Sequence, residues 1–370
     1  MLLLVEFWFR FDNHYMLRSG GIGQPAGTSR EEERQLGLAT DHSPNGRGAA
    51  TQGSAVRCSL IIVTKCRPEL LRRSLECSLQ ALPEDGEVIV VDGDLEHSAA
   101  GVVGELRARH QARELRYIAT KPGTTRQRNV GIDAARGEIV VLVDDDCTFG
   151  PGLLESLLSA YEDPLVVGAT GHVQGPPGGR VGSDPNSRLR WLVLGGGRQG
   201  TMSRSGFRNP IVDVDRPRDV EYMSGPLMSA RRELASAVRF DERLTGYGLA
   251  EDDDFSYRLS RRGRIRYVPS AVVCHHELGR QHIDARQIDR MQVINRAYLF
   301  RKNFPQTLRA RAAFASLLAI LCAHRALNRE WPGLGGLAQG IWDVYRPRFA
   351  RGSRAQGSRD GASPEASGGR

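Results

Sequence analysis

No two cysteines in this 370-residue chain stand at C-x-x-C spacing; the six are scattered at Cys58, Cys66, Cys77, Cys147, Cys274 and Cys322. That pattern excludes a zinc ribbon and a small disulfide scaffold, and it fits a reduced, cytosolic protein. A secretory signal is also missing. The apolar start is interrupted by Glu6, Arg10 and Asp12, with no basic region ahead of it and no clear cleavage site. Neither this start nor the later run AAFASLLAILCA is long enough to span a bilayer. There is no internal repeat. Helix-turn-helix, zinc-finger and RNA-binding signatures are absent, so the formal charge of +8 is not by itself a reason to expect nucleic acid. A basic balance also suits phosphorylated substrates or an anionic membrane.

What is present is an α/β pattern. The composition, 40% hydrophobic and 25% charged, fits one large domain or two small ones. Cys58–Thr64 reads as a buried strand, Pro68–Ala81 as a helix with Pro68 in its first turn, and Glu87–Val91 as a second strand. Helix, strand and helix follow at about 99–113, 115–119 and 124–135, and then the run EIVVLV. This β-α-β-α-β-α-β order predicts a doubly wound, mainly parallel sheet with helices on both faces. Further elements are expected as a helix over 151–161 and strands over 165–173, 220–229, 264–268 and 271–274. Helices follow over 284–302 and 307–323. Residues 1–55 read as a poorly ordered leader and 351–370 as a disordered tail, flanking a domain at 56–282 and a helical extension at 283–350. Gly175–Arg218, rich in Gly, Pro, Arg and Ser, is a long loop.

The chemistry gathers at four places. Asp144, Asp145 and Asp146 follow the EIVVLV strand at once. Adjacent carboxylates repel and do not enter an apolar core unpaired. At the carboxyl end of an α/β strand they stand where such sheets bind ligands. A hard divalent cation with a diphosphate as its other ligand would offset the repulsion; a solvated acidic turn is the plain alternative. Glu251–Asp254 form a second acidic cluster at a helix start. Helix-dipole stabilisation explains one or two of these acids, Asp254 can pair with Arg258 four residues on, and Asp252 is left to take a proton from an attacking hydroxyl. His275 and His276 follow a strand, where an imidazole could complete a metal site or simply be a structural histidine. Arg126 to Asn129 open a helix with cations, which is unfavourable unless an anion lies there.

Five stretches occur together in order: SLIIVTKCRPELLRRSL, EVIVVDGD, TRQRNVGIDAARGEIVVLVDDD, EYMSGPLMSARREL and GYGLAEDDDFSYRLSRRG. Together they resemble an inverting family 2 glycosyltransferase of the GT-A fold, over about Cys58 to Glu277. The resemblance implies a cytoplasmic, metal-dependent enzyme that moves one sugar from a nucleotide-diphosphate sugar (UDP, GDP or dTDP) to an unidentified acceptor hydroxyl. The setting would be cell-envelope glycan, glycolipid or natural-product synthesis. It implies a donor site of Thr64, Arg67, Asp92, Arg126, Asn129, Asp144 and Asp145, with Asp144 toward the ribose. Asp144, Asp146 and His275 would hold Mn²⁺ or Mg²⁺, and Glu251-Asp252 would be the acid pair, with Asp252 as general base. No Q-x-x-R-W motif follows the second cluster, which argues against a processive synthase. A nucleotidyltransferase of similar fold and a non-catalytic nucleotide-sugar binder are the alternatives. For the Arg-rich apolar helix near 307–323, core packing is the first reading and peripheral contact with the inner face of a membrane the second.

Overall fold

A computed structural model describes residues 58–175, 198–211, 214–245, 248–276 and 284–346. The expected leader and tail lie outside these residues, as do Gly246 and most of the Gly175–Arg218 stretch.

The first half is doubly wound. Strands β1 (Cys58–Thr64), β2 (Glu87–Asp92), β3 (Glu114–Ala119) and β4 (Ile139–Asp144) run parallel in the order β3-β2-β1-β4. Helices α1 (Pro68–Ala81), α2 (Ala100–Arg109) and α3 (Thr124–Ala134) make the crossovers. The central strands are continuous apolar runs because both faces are covered. Leu60, Ile62, Val88, Val90, Val141 and Val143 enter one core, while Ile61, Val63, Ile89, Val91, Val140 and Leu142 enter the other. The order reverses between β1 and β4, so their carboxyl ends border a crevice of the kind that receives ligands in such sheets.

The second half is mixed rather than parallel. The short β5 (Cys147–Phe149) leads into α4 (Leu153–Leu158) and β6 (Val166–Gln174). A single strand was expected over 220–229, but a turn at 221–226 divides it into β7 (Arg218–Val220) and β8 (Leu227–Arg231). After α5 (Arg232–Val238) and α6 (Glu251–Ser260) comes β9 (Arg264–His275), one strand of 12 residues where two were expected. Strand β8 lies antiparallel between β4 and β6, β9 runs parallel to β6, and β5 and β7 pair antiparallel with β9.

Three helices close the chain: α7 (Ala285–Asn303), α8 (Leu308–Leu327) and α9 (Trp331–Tyr345). They share a core of Phe207, Val293, Phe300, Phe314, Leu321 and Leu337. Helix α8 exceeds the apolar run within it and, by length and composition alone, could cross a membrane; 39% of that window is buried in the fold. Helix α9 lies within the expected helical extension at 283–350, in which only the two earlier helices were given bounds from the sequence. Its glycines permit close approach to α7: a Cβ on Gly336 would fall 2.2 Å from the Arg286 carbonyl oxygen.

Candidate active site

The three adjacent aspartates diverge. Asp144 ends β4 with its carboxylate accepting from Arg128 Nη2 at 3.0 Å. Asp145 turns inward and is fully buried; it accepts from the Thr64 hydroxyl at 2.6 Å and pairs with Arg67 at 2.7 Å. Burial pushes its carboxyl up to about 7, with Asp146 and Asp144 adding and Arg67 and Thr64 opposing. Asp146 meets His275 Nε2 at 3.2 Å. Burial would raise the Asp146 carboxyl, but His275 and then Arg67 outweigh it and hold it below the usual carboxylate range. The β5–β9 pairing sets this contact, since His275 lies in register with Cys147. His276 instead bonds Thr148 Oγ1 at 2.8 Å.

The second cluster also diverges. Ala250 precedes α6 at φ 72°, a left-handed conformation that costs a non-glycine residue about 1–2 kcal/mol. Glu251 then accepts from Arg128 Nη1 at 2.8 Å. Burial pushes its carboxyl up, Asp252 adds to the shift and Arg128 opposes it. Asp252 accepts from the Gly225 amide at 3.1 Å and lies 3.6 Å from Arg208 Nη1. Asp253 and Asp254 point the other way. Asp253 pairs with Arg296 at 2.7 Å; Asp254 takes the expected bond from Arg258, one from Lys302 at 3.0 Å and one from Asn303 at 2.7 Å.

Arg128 therefore joins the two acidic clusters. Its side chain is 3% exposed and binds Asp144, Glu251 and the Gly225 carbonyl. Sequence reasoning passed over it in favour of its neighbours. Arg126 is 44% exposed and pairs with Glu242. Asn129 is buried, giving its amide hydrogens to the Phe240 carbonyl and Glu242 and accepting from the Phe240 amide. Helical period held the clue, because Thr125, Arg128, Asn129 and Ile132 share the buried face. The anions that offset the cations of this helix start are protein carboxylates.

The fold encloses several of the expected donor residues. Asn129 and Asp145 are internal. Asp92 is fully buried, accepting from the Asp94 and Ala99 amides and from the Tyr117 hydroxyl. The Thr64 side chain braces Asp145, while its carbonyl receives Gln127 Nε2 at 2.8 Å. These groups fix the strand ends. Of the expected donor residues, those open toward solvent are Arg126, 44% exposed, Arg67, 34% exposed, and Asp144, 26% exposed.

The donor set can be tested for a divalent cation. Ligand atoms of Asp146, Cys147 and His275 lie within 4.8 Å of one another. Burial raises the Cys147 thiol well above its ordinary range, and Sγ faces the Pro226 carbonyl at 3.8 Å, so it stays protonated and is a poor ligand. One carboxylate oxygen and one imidazole nitrogen remain, side by side. That set suits an ion such as Mn²⁺ that keeps positions for phosphate oxygens and water. Asp144, expected beside them, is held by Arg128 instead.

The chain is similar to known glycosyltransferases. Residues 59–238 match the model of glycosyl transferase family 2. An N-acetylglucosaminyl-diphospho-decaprenol L-rhamnosyltransferase of Mycobacterium tuberculosis is 33% identical over 147 residues, 37% of this chain and 47% of the relative. The chain thus spans about half the length of the curated relatives it matches. Among solved structures, a mannosyltransferase from Pyrobaculum calidifontis in complex with GDP-Man and Mn²⁺ has a TM-score of 0.52 at 15% identity, covering 93% of this chain and 97% of that one. GalNAc-T7 with UDP, GalNAc and Mn²⁺ has a TM-score of 0.51 at 16% identity, covering 75% and 59%. These likenesses show the GT-A fold. The similarity to glycosyl transferase family 2 thus covers residues 59–238, just under half of the chain.

Proposed function

We propose that the protein transfers a single sugar from a nucleotide-diphosphate donor to an acceptor hydroxyl, with inversion at the anomeric carbon. The observation that carries the reading is Arg128, whose one guanidinium binds both Asp144 at the strand end and Glu251 at the helix start. A donor end and a base end thereby become one site. Asp252 is the general base. Its carboxylate is anchored by the Gly225 amide and takes the acceptor proton as the hydroxyl attacks. With Asp252 as a single base, the reaction is a single in-line displacement, as in single-step glycoside cleavage.

Asp146 and His275 would hold Mn²⁺ or Mg²⁺, and the bound ion would neutralise charge developing on the leaving diphosphate. Arg67, reaching from the start of α1 to Asp145 and 3.9 Å from Asp146, is placed for the same diphosphate. The rhamnosyltransferase relative makes a deoxyhexose donor and a lipid-diphosphate acceptor the first pair to try. Acceptor choice falls to Gly175–Arg218 and the C-terminal helices.

The test is a thermal-shift panel of UDP-, GDP- and dTDP-sugars, with Mn²⁺ or with EDTA. A donor at about 100 times its Kd adds about 2.7 kcal/mol. That raises Tm by about 3–5 °C for a protein of this size. One nucleotide should give that shift with the ion and much less with EDTA. No shift for any donor sinks the proposal.

A further inference from the structure

Charge and exposed aromatic surface concentrate in one part of the molecule. Residues 284–346 hold ten lysines and arginines against four acids, whereas the other residues hold 41 against 39. Three of those four acids are tied internally: Asp289 and Glu330 to Arg325, and Asp343 to Arg290. The exposed cations Arg301, Arg309, Arg311, Arg329 and Arg346 meet no carboxylate among the described residues. Trp331, Trp342 and Tyr345, 61%, 64% and 56% exposed, lie along a single stripe of α9 with Ala338. Arg301, from the end of α7, stacks 5.5 Å over Tyr345.

The outward face of α8 continues this surface. Leu308, Ala312, Ala315, Ala319, Ala323 and Leu327 recur at helical spacing, all exposed, with no charge between Arg311 and Arg325. Leu327, 48% exposed, stands four residues before Trp331, at the corner between the two helices. A water-facing helix usually carries charge on such a face. Amphipathic aromatic rings beside an apolar stripe and unpaired arginines match the chemistry of a bilayer's polar–apolar boundary.

We propose that the α8–α9 face docks on an anionic membrane surface, with the tryptophans and the α8 stripe in the headgroup boundary and the arginines on lipid phosphates. Charge complementarity selects this occupant over a second copy, whose face would bring the same arginines against each other. The inference stands apart from the sugar-transfer reading, because vesicle binding and donor binding are measured separately.

The experiment is co-sedimentation of the full chain with vesicles of phosphatidylcholine alone and with about a third phosphatidylglycerol. Binding is expected only to the anionic vesicles and should weaken with salt. Each of Arg309→Gln and Arg311→Gln should weaken it about fivefold. Trp331→Ser with Trp342→Ser should weaken it at least about tenfold. All variants should keep their Tm and any donor-induced shift, since these side chains are exposed. No binding to anionic vesicles, or binding that none of the variants changes, overturns the proposal. So does a dimer in solution that the paired Trp→Ser substitutions convert to monomer, because the face would then belong to a second copy.

Discussion

Replacing Arg128 by methionine keeps the length of the side chain and removes its charge. The guanidinium is 3% exposed and satisfies Asp144, 26% exposed, and Glu251, 12% exposed. Removing one partner of a buried ion pair costs about 3–5 kcal/mol. Asp144 is open enough for water to replace part of its loss, so the low end applies, about 3 kcal/mol. For a protein of this size that lowers Tm by about 4–6 °C. The loss should depend on pH. Burial and Asp252 already raise the Glu251 carboxyl, and without Arg128 it rises further. A carboxyl raised in the folded state favours folding only at low pH, and that contribution is lost as pH rises through the folded-state value. The gap between Arg128→Met and the parent should therefore be narrow near pH 5 and wide near pH 8.5. Thermal denaturation across that range is the assay. Adding Glu251→Gln should recover about half of the loss at high pH, since the two sites are in contact. A gap that is constant with pH, or no recovery, would refute the reasoning that Arg128 neutralises Glu251.

Asp252→Asn should lower kcat by about 10²- to 10⁴-fold while donor Kd stays within about threefold, and a variant turning over normally removes Asp252 from the role of base. Asp146→Ala and His275→Ala should each give the same donor-induced thermal shift with Mn²⁺ as with EDTA; a retained Mn²⁺-specific gain in both would rule out that pair as the ion's ligands. Glu87 offers a check on the fold itself. Burial opposes its ionisation, but bonds from Ser59, Arg116 and Arg136 bring its carboxyl down to about 2. A carboxyl lowered in the folded state stabilises above its unfolded value, here by about 3 kcal/mol, and that share disappears as pH falls from about 4.5 to 2. Glu87→Gln should thus be less stable than the parent at pH 7 in urea titration, and the two curves should converge near pH 2.5.

The first half of the fold was legible because its signals are local. Strand β1 and helix α1 begin and end where the buried apolar run, Pro68 and the spacing of Leu71, Leu75 and Leu79 place them. The second half depends on partners distant in sequence. Strand β5, three residues long, exists through its pairing with β9, and the turn between β7 and β8 exists because Gly225 must reach Asp252. The bounds of helix α9 were hidden by glycines, which lower helix propensity in isolation yet permit contact with the α7 backbone. In the site, residue types announced the acids and the histidine, and helical spacing paired Asp254 with Arg258, but the partners of Asp144, Asp145 and Asp146 stayed hidden. Three adjacent aspartates look alike in sequence; burial separates Asp145, which braces Thr64 and Arg67, from Asp146, which meets His275.

The outward-turned acids of α6 bear on where this protein could be divided. The family match ends at residue 238, yet Asp253 and Asp254 draw Arg296, Lys302 and Asn303 from α7. Deleting the last three helices would take Arg296 from Asp253 and leave Asp254 with Arg258 alone, on the very helix that carries Glu251 and Asp252. The change of architecture near residue 283 therefore marks no independent folding unit. Opening of the C-terminal layer and loosening of α6 belong to one cooperative event, so amide hydrogens in α6 should exchange in step with those of α7.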